Sequence, residues 1–457
     1  MSLWPPDLSQ GRGPLYRRVA AAITDAIQAG ILPPGSRLPS HRDMAYQLGV
    51  AVGSVAKAYG LLAEQGLVRA RVGQGTVIEA KQGRWRERLT PVTEMVDLGV
   101  IILPPLNDPE LLDASGRRTL TDIGAQWPLL GLTGYPTKTG IERQQKAVAR
   151  WLRESDVPAT PESVAITIGA QEALVSVLLT ATRGGAALLC EDLNAVGTKN
   201  LFSALGLEPQ GLAMDKEGVT PAVLEAAARS NPGAVLILRP SFQIPTAAAM
   251  SAERRQAIAA LVRRYDLLLL ECDTYGQFVP ADGPPFAALL PEQCVYICSF
   301  ASQTQTGLRA GLLHSPRHLE ERIGFTRHAL LLGTPPLIGE VMTAWIQSGL
   351  ADRIIAAHRA ELSKRHRVLH QELAGFPLQT QPCGPFAWLP LEGQDADRVA
   401  ERAAEQGVYL LPSSRFVIGQ RPPAPAVRLS LSSTSDRKTL RRGLALLRGL
   451  LPPPPSA

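Results

Sequence analysis

The first eighty residues alternate apolar and polar positions with the period of an α-helix. Leu15, Val19, Ile23 and Ile27 follow one another at intervals of four, which places them on one helical face. Gly30 closes this pattern, because glycine is common just beyond a helix end. The spacing therefore predicts a helix from about residue 14 to residue 30.

Two shorter helices and a strand pair follow this first helix. Ser40 offers an N-cap for the segment HRDMAYQLG, which Gly49 closes, and a second helix begins near Val52 and runs through AKAYGLLAEQG. Two short helices joined by a glycine-containing turn form a helix-turn-helix. The segment LVRARVGQGTVIEA then alternates as a strand, turns at GQG and resumes, which predicts a wing. Residues 1–80 are thus expected to form a winged helix-turn-helix domain.

From about residue 116 the pattern changes to continuous apolar runs that alternate with amphipathic helical segments. Strand candidates include SVAITIG, GAALLCE, AVLILRPS, LLLLECD and QCVYICSF. Such runs predict a largely parallel sheet covered by helices on both faces. Beyond about residue 340, long helical segments alternate with short strands such as FAWLPL and VRLSLSS, which predicts a smaller α+β lobe.

These patterns divide the chain into five predicted segments. We expect a linker after the winged helix-turn-helix, because residues 81–115 are polar at first and are then interrupted by prolines. A large α/β domain and a small C-terminal lobe come next, and a proline-rich tail is expected to be disordered. The predicted ranges after residue 80 are 81–115 for the linker, 116–340 for the large domain, 341–450 for the lobe and 451–457 for the tail.

Composition favours a cytoplasmic globular protein. The 457 residues are 45% hydrophobic and 19% charged, and no run approaches the roughly 18 apolar residues of a membrane span. The N-terminus lacks the basic and apolar regions of a signal peptide. Five cysteines without metal-ligand spacing are expected to be buried thiols, so we predict no metal site. The net charge of +6 permits a polyanionic partner.

Polar residues on the predicted second helix, third helix and wing are of the types that contact phosphates and base edges. The alternative is a small helical bundle with a hairpin and no role in DNA binding. The predicted DNA-binding residues are Arg42, Ser54, Lys57, Tyr59, Arg69, Arg71 and Gln74.

The run from Pro14 to Ile78, with its ILPPGSRLPS loop and GQGT wing, resembles the winged helix-turn-helix of GntR-type bacterial regulators. Further along, GYPTKTGIERQQKAVARWL, ITIGAQEAL, LRPSFQIPTAAAMS, ECDTYGQF, SFASQTQTGLRAG and VRLSLSS resemble fold type I aminotransferases. The order of the two halves is similar to that of the MocR subfamily of GntR regulators. The resemblance implies a multidomain fold, in which an α/β pyridoxal phosphate (PLP)-dependent transferase-like domain with a smaller α+β lobe follows the DNA-binding domain.

The resemblance also implies PLP as a cofactor, with a lysine, an aspartate and a tyrosine around its ring. Matching the motifs places Ser302 at the lysine position, Cys272 at the aspartate position and Ala195 at the ring-stacking tyrosine position. A nearby phenolic position becomes Thr274. A serine hydroxyl does not form an imine. We therefore expect this protein to have no catalytic residue and no covalently bound cofactor. Asp273 serves as an alternative aspartate only if the strand shifts by one residue.

The anion-binding positions of the family are kept. Gly169, Ala170 and Gln171 open a predicted helix, where free N–H groups favour a phosphate. By resemblance, Ser299 and Arg309 are further phosphate ligands, and Arg428 is the ligand of a substrate carboxylate. The alternative is that the two arginines make internal ion pairs and that the glycine is only a tight turn.

The resulting hypothesis is a transcriptional regulator that binds double-stranded operator DNA and senses a small anionic effector. The resemblance implies a head-to-tail homodimer, whose two DNA-binding domains read paired half-sites. PLP held without a covalent bond is an alternative ligand. Two competing interpretations are an active aminotransferase fused to a DNA-binding domain, and a large domain that serves only for dimerisation.

Overall fold

A computed structural model describes the chain in two compact units, residues 1–93 and 94–457. Within these units, the structure describes residues 14–28, 31–32, 36–64, 67–71, 75–78, 95–127, 130, 132, 134, 138–279, 282–419 and 421–453. Predictions for Gly30 and Gln74, for residues 81–94 of the linker and for residues 454–457 of the tail lie outside this part of the chain.

The N-terminal unit is a winged helix-turn-helix, as predicted. Ser40 caps the second helix by accepting a hydrogen bond from the N–H of Asp43 at 3.2 Å, and Gly49 ends it in the left-handed conformation. The two strands pair antiparallel, with Val68 opposite Ile78. The elements are α1 (Leu15–Gln28), α2 (His41–Leu48), α3 (Val52–Glu64), β1 (Val68–Arg71) and β2 (Gly75–Ile78).

The core of this unit follows the helical period. Val19 and Ile23 of α1 are fully buried, and they meet Met44 of α2 together with Val55 and Leu62 of α3. Burial of one such side chain contributes about 1.5–3 kcal/mol. The apolar stripe read from the sequence is therefore the face that holds the three helices together.

The C-terminal unit contains the predicted α/β domain. Helices separate most of its longer strands between residues 164 and 314. Its elements up to residue 347 are β3 (Val96–Asp97), α4 (Pro109–Asp113), α5 (Thr119–Ala125), α6 (Lys138–Arg153), β4 (Val164–Thr167), α7 (Gly169–Ala181), β5 (Leu188–Glu191), α8 (Val196–Leu205), β6 (Gln210–Leu212), β7 (Met214–Asp215), β8 (Gly218–Val219), α9 (Pro221–Ser230), β9 (Val235–Leu238), α10 (Ala252–Arg264), β10 (Leu268–Asp273), α11 (Phe286–Leu289), β11 (Cys294–Cys298), α12 (Phe300–Gln303), β12 (Gly311–His314), α13 (Arg317–Leu331) and α14 (Pro336–Gln347).

Seven of these strands form one sheet in the order β4-β12-β11-β10-β9-β5-β6. Neighbouring strands are parallel except for β12, which runs antiparallel to both β11 and β4. The two faces of the sheet carry separate apolar clusters, since successive side chains of a strand point to opposite faces. The largely parallel sheet is confirmed, and β12 is the one strand whose direction the apolar pattern does not reveal.

The small lobe begins with a long helix and contains a three-stranded sheet in the order β13-β16-β15. Its elements are α15 (Leu350–Glu372), β13 (Phe386–Pro390), α16 (Ala396–Glu405), β14 (Val408–Tyr409), β15 (Leu411–Pro412), β16 (Ala426–Ser430) and α17 (Arg437–Leu450). The predicted α+β lobe is confirmed.

The predicted linker is wrong in its second part. Residues from Val96 onward belong to the C-terminal unit, because β3 pairs in parallel with β14 and the side chains of Val96 and Leu98 are buried in the core of the small lobe. Residues 109–113 form α4, and Ala114–Arg118 form a π-helical turn. A pairing partner more than 300 residues away leaves no mark on the local pattern.

Four of the cysteines are buried in strands as predicted, and Cys383 is half-buried. In the described part of the chain, no helix has the length and apolar content that crossing a membrane would require.

Gly311, the first residue of β12, lies against the start of α7. A Cβ atom at this position would lie 2.5 Å from the carbonyl carbon of Gly169 and 2.7 Å from the backbone nitrogen of Ala170. Contacts this short cannot be relieved by a side-chain rotation, because these two atoms belong to the backbone. Glycine is therefore the residue that lets the antiparallel strand approach the helix start.

We predict that Gly311→Ala lowers the free energy of unfolding of the C-terminal unit by about 1–3 kcal/mol, because the added methyl group forces the two backbones apart. Gly307→Ala is the matched control, since a Cβ atom there meets no other atom within 4 Å. Urea unfolding of both variants checks the prediction. Equal stability of the two variants would contradict it.

Candidate functional site

The N-terminal unit presents several of the predicted DNA-binding residues at its surface. Arg42 of α2, Lys57 of α3 and Arg69 of β1 have exposed side chains, while Ser54 is half-buried near the start of α3. Arg71 is the last residue of β1, and its side chain lies outside the described part of the structure. The exposed cations and Ser54 stand on the helix-turn-helix and the wing, where a DNA backbone is met in this fold.

Tyr59 is not part of this surface, which corrects its prediction as a DNA contact. Its side chain is only 4% exposed, its hydroxyl donates a hydrogen bond to the carbonyl of Pro39 at 2.9 Å, and its ring packs edge-on against His41. Burial also raises the pKa of the Tyr59 hydroxyl. Tyr59 therefore stabilises the junction between α3 and the residues before α2.

The structure adds a surface residue, Tyr46, that the sequence patterns did not single out. Tyr46 of α2 is 91% exposed, and with Arg37 and Ser40 it lines an open concavity of about 490 Å³ at the start of the helix-turn-helix. A large aromatic residue at an exposed helix position is the signal that was available in the sequence.

In the C-terminal unit, the loop SFASQTQTGLRAG follows β11. Ser299 caps the short helix α12, and its hydroxyl donates a hydrogen bond to the hydroxyl of Ser302 at 2.7 Å. The N–H of Ser302 in turn donates to the Ser299 hydroxyl at 3.3 Å. The predicted phosphate ligand Ser299 thus uses its proton within the loop, and Ser302 is half-buried beside it.

His358 of α15 ties this loop to the small lobe. Its Nε2 donates to the carbonyl of Thr304 at 2.8 Å, and burial lowers the pKa of its imidazole to about 4. The neutral ring therefore anchors the loop across the acidic to neutral pH range.

The guanidinium of Arg309 lies close to Gly169. Gly169 opens α7 with a φ of +74°, and a Cβ built on it would lie 3.6 Å from Nη2 of Arg309. The first amides of a helix lack intrahelical partners, so this helix start and the exposed guanidinium form an electropositive corner. Ala170 follows in the same turn, whereas the Gln171 side chain donates to the carbonyl of Gly197 at 3.0 Å.

At the end of β10, the strand register keeps Cys272 and not Asp273 at the aspartate position. Cys272 packs in the apolar cluster that α7 covers, and burial raises the pKa of its thiol to about 11, against the opposing effect of the Arg239 charge. Asp273 points to the opposite face, where its carboxylate accepts a hydrogen bond from the Tyr296 hydroxyl at 2.6 Å. Cys272 and Asp273 therefore lie on opposite faces of the sheet, and a site on the α7 face would meet Cys272 and not Asp273.

A buried arginine lies beside Cys272. Glu271 of β10 pairs with Leu238 of β9, so the next position of the register places Arg239 next to Cys272. Arg239 is only 5% exposed, and its guanidinium lies 3.5 Å from the carboxylate of Glu191.

The same guanidinium also fixes the start of α8. It donates hydrogen bonds to the side-chain oxygen of Asn194 at 2.6 Å and to the hydroxyl of Thr198 at 2.8 Å, on either side of Ala195. The backbone N–H of Arg239 donates to Glu191 at 3.0 Å. Burial raises the pKa of the Glu191 carboxyl, and the Arg239 charge opposes that rise.

These side chains do not suit the ring of PLP. A protonated pyridine nitrogen needs an acidic partner, and in this site it would meet the Cys272 thiol and the positive charge of Arg239. Ala195 offers no aromatic face for stacking. The guanidinium of Arg309 lies near the start of α7, but the side chains around Cys272 and Arg239 would give a bound ring the wrong charge.

Arg428 of β16 makes internal contacts. Its guanidinium donates to the carbonyl of Gly99, and it lies 5.6 Å from the ring centre of Phe386 and 5.0 Å from that of Phe416. The residue is buried. Arg428 thus has the internal role of the alternative interpretation, although its partners are a carbonyl and two aromatic rings. Arg309, in contrast, is exposed.

Comparison with known families divides the chain at the same place as the structure does. Residues 15–78 match the family of bacterial regulatory proteins of the gntR type, and residues 122–447 match aminotransferase class I and II.

Two relatives align over nearly the full length. The HTH-type transcriptional regulator YdeF of Bacillus subtilis is 26% identical over 98% of this chain and 96% of its own. The probable rhizopine catabolism regulatory protein MocR of Rhizobium meliloti is 27% identical over 95% of this chain and 93% of its own. Among solved structures, kynurenine aminotransferase of Pyrococcus horikoshii superposes with a TM-score of 0.73 at 20% identity, covering 82% of this chain and 94% of the enzyme. This last likeness shows the fold.

We predict that Arg239→Met lowers the free energy of unfolding by about 3–5 kcal/mol at neutral pH, because it leaves the Glu191 carboxylate buried without its partner. The loss should shrink as the pH falls toward the ordinary pKa of glutamate. Protonation removes the buried charge from the native state, whereas the unfolded state stays ionised at neutral pH. Urea unfolding between pH 5 and pH 8 measures this dependence.

The double variant Arg239→Met/Glu191→Gln is the control, and it should recover most of the loss at every pH because neither charge remains. A loss in Arg239→Met that is independent of pH would show that the ion pair is not its cause.

Proposed function

The chain belongs to the aminotransferase class I and II family and, with its GntR-type N-terminal unit, to the MocR subfamily of bacterial transcriptional regulators; from this we propose that it binds operator DNA and senses a small anionic effector without catalysis. The observation that carries the sensing role is the pairing of Arg309 with the start of α7 beside a site whose ring-binding residues have changed.

The DNA-binding proposal rests on the exposed side chains of the winged helix-turn-helix. Arg42, Lys57 and Arg69 supply charge for the phosphate backbone, and the half-buried hydroxyl of Ser54 lies near the start of the helix that enters the major groove in this fold. Arg71 and Gln74 of the wing remain predicted contacts. Tyr59 is left out because its hydroxyl is engaged inside the unit.

The effector proposal rests on charge. The guanidinium of Arg309 and the first amides of α7 favour a phosphate or carboxylate group. Arg428 is a second candidate ligand, and an effector carboxylate that reached it would have to replace the Gly99 carbonyl. The ligand class is thus a small anion with one or two acidic groups.

We further propose that the chain has no aminotransferase activity and forms no covalent bond with PLP. Ser302 supplies no amine, and in the described part of the structure no lysine lies between Lys216 and Lys364. The Arg239 charge and the Cys272 thiol disfavour a protonated pyridine ring even without a covalent bond.

Exposed apolar residues near the end of α13 support a homodimer. Phe325 is 65% exposed, and Leu330, Leu331 and Leu332 are also exposed. Neighbouring apolar side chains at the surface mark an interaction site. The proposal is a head-to-tail homodimer with two DNA-binding units.

We predict that Arg42→Ala and Lys57→Ala each weaken binding to a duplex from the upstream region of the protein's own gene. Each should reduce the steepness of the fall of log affinity with log salt concentration by about one, because each removes one phosphate contact. Tyr59→Phe is the structural control: it should cost about 1 kcal/mol of stability through the lost hydrogen bond and leave DNA affinity unchanged. Gel-shift titrations at several salt concentrations provide the test, and unchanged binding in both alanine variants would reject this surface.

We predict that inorganic phosphate raises the thermal unfolding midpoint of the wild type more than that of Arg309→Gln, since the variant removes the charge beside the α7 start. Arg183→Gln, at an exposed arginine beyond the end of α7, is the matched control and should respond as the wild type does. An equal response of all three proteins would leave dimerisation as the role of the large domain.

We also predict that incubation with PLP followed by borohydride gives no specific lysine adduct in peptide mapping. A stoichiometric adduct on one lysine would favour the enzyme interpretation over the sensor.

A further inference from the structure

The positive charge of the chain is concentrated in the small lobe. Residues 341–457 contain fifteen lysines and arginines against nine aspartates and glutamates, an excess that equals the formal net charge of +6 for the whole chain. The winged helix-turn-helix is therefore not the only basic part of the protein.

Helix α17 carries much of this excess. Its buried side consists of leucines such as Leu440, Leu444 and Leu447, and its sequence from Arg437 to Leu450 contains no acidic residue. Its five basic residues are all exposed. They are Arg437, Lys438, Arg441, Arg442 and Arg448.

Helix α15 extends this charge, because the two helices are joined along their polar edges. Arg441 donates to the side chain of Gln371 at 3.0 Å and lies 3.1 Å from Glu372. One turn before Gln371 on the same side of α15 is Arg367, and Lys364 lies three residues earlier; both are exposed. We call the surface formed by Lys364, Arg367 and the five basic residues of α17 the basic face.

The basic face does not stabilise the helix that carries it. Lys438 and Arg442 are four residues apart, as are Arg437 and Arg441, and like charges at this spacing repel each other by about 0.2–0.5 kcal/mol per pair. Arg437 and Lys438 also stand in the first turn, where the helix dipole disfavours cations, and the N-cap Asp436 offsets only part of this. Glu361 and Glu372 pair with Arg437 and Arg441.

The remaining cations are available to a partner. Among the ion pairs of the described residues, none involves Lys364, Arg367, Lys438 or Arg442. A charged surface that weakens its own helix and is left unpaired points to a polyanion outside the chain.

The basic face has the composition of a nucleic-acid surface and not of a protein interface. No large hydrophobic side chain of α15 or α17 is exposed. Protein interfaces depend on buried aromatic or aliphatic anchors at their centre, whereas contacts to the DNA backbone depend on lysine and arginine.

We propose that the basic face binds the phosphate backbone of double-stranded DNA outside the base pairs that the winged helix-turn-helix reads. The small lobe is thereby a second, sequence-independent DNA contact, which lengthens the bound segment and raises affinity without changing the operator. This inference rests on the proposed DNA-binding function.

The test compares two duplexes from the upstream region of the protein's own gene. The short duplex contains only the base pairs whose substitution changes affinity, and the long duplex extends it by 20 unrelated base pairs on each side, a length of about two helical turns per side. The variant is Arg367→Gln/Lys438→Gln/Arg442→Gln in the full-length chain. The control Lys146→Gln/Arg183→Gln/Lys216→Gln removes the same charge from exposed positions outside the small lobe.

We expect the wild type and the control to bind the long duplex at least tenfold more tightly than the short one, and the basic-face variant to lose this gain. On the long duplex, the slope of log affinity against log salt should fall by about three in the variant, since each lost phosphate contact removes about 0.9. Binding to the short duplex should be unchanged. Circular dichroism and the thermal unfolding midpoint confirm that the variant is folded.

Three results would overturn the proposal: a variant that keeps the full gain on the long duplex, a variant that loses affinity equally for both duplexes, or a change in oligomeric state, which would assign the face to a protein contact. Failure of the proposed function itself looks different. In that case the wild type does not distinguish its operator from unrelated DNA, and Lys57→Ala has no effect on either duplex.

Discussion

The buried ion pair of Arg239 and Glu191 fixes the positions of the side chains at the ends of β5 and β9. Both groups have lost water, so each needs the other, and a fixed cation at this point in turn holds the side chains of Asn194 and Thr198. The first turn of α8 and the ends of β5 and β9 are thereby connected.

The sequence alone predicts those elements whose ends and apolar faces are set by neighbouring residues. The helix-turn-helix followed from an N-cap at Ser40 and a left-handed end at Gly49, and the parallel strands followed from continuous apolar runs. Tyr59 was misassigned although its spacing from Val55 and Leu62 matches the buried face of α3. The helical period of α3 therefore indicates the burial of Tyr59 better than its residue type does.

Contacts between distant parts of the chain were not accessible in this way. Val96 and Leu98 look like part of a proline-broken tether until β14, more than 300 residues later, pairs with them. The sequence indicates only that Arg239 lies at a strand end. Its hydrogen-bond partner Asn194 is 45 residues away, so the contact has no local signal. The motif matches pointed to Arg309 and Gly169, and the structure brings the two close together because both stand at element boundaries that the strand order fixes. They did not reveal that the hydroxyl of Ser299 is used by Ser302.

The hydrogen bond from Arg428 to Gly99 ties the segment at which the chain enters the C-terminal unit to the sheet of the small lobe. The residues next to Gly99 are held by the small lobe, since the N–H of Leu98 donates to Tyr409 and the carbonyl of Leu98 accepts from Ser430. A ligand that takes the Arg428 guanidinium has to release one of the bonds that hold this segment. Ligand binding at Arg428 and the docking of this segment would therefore oppose each other.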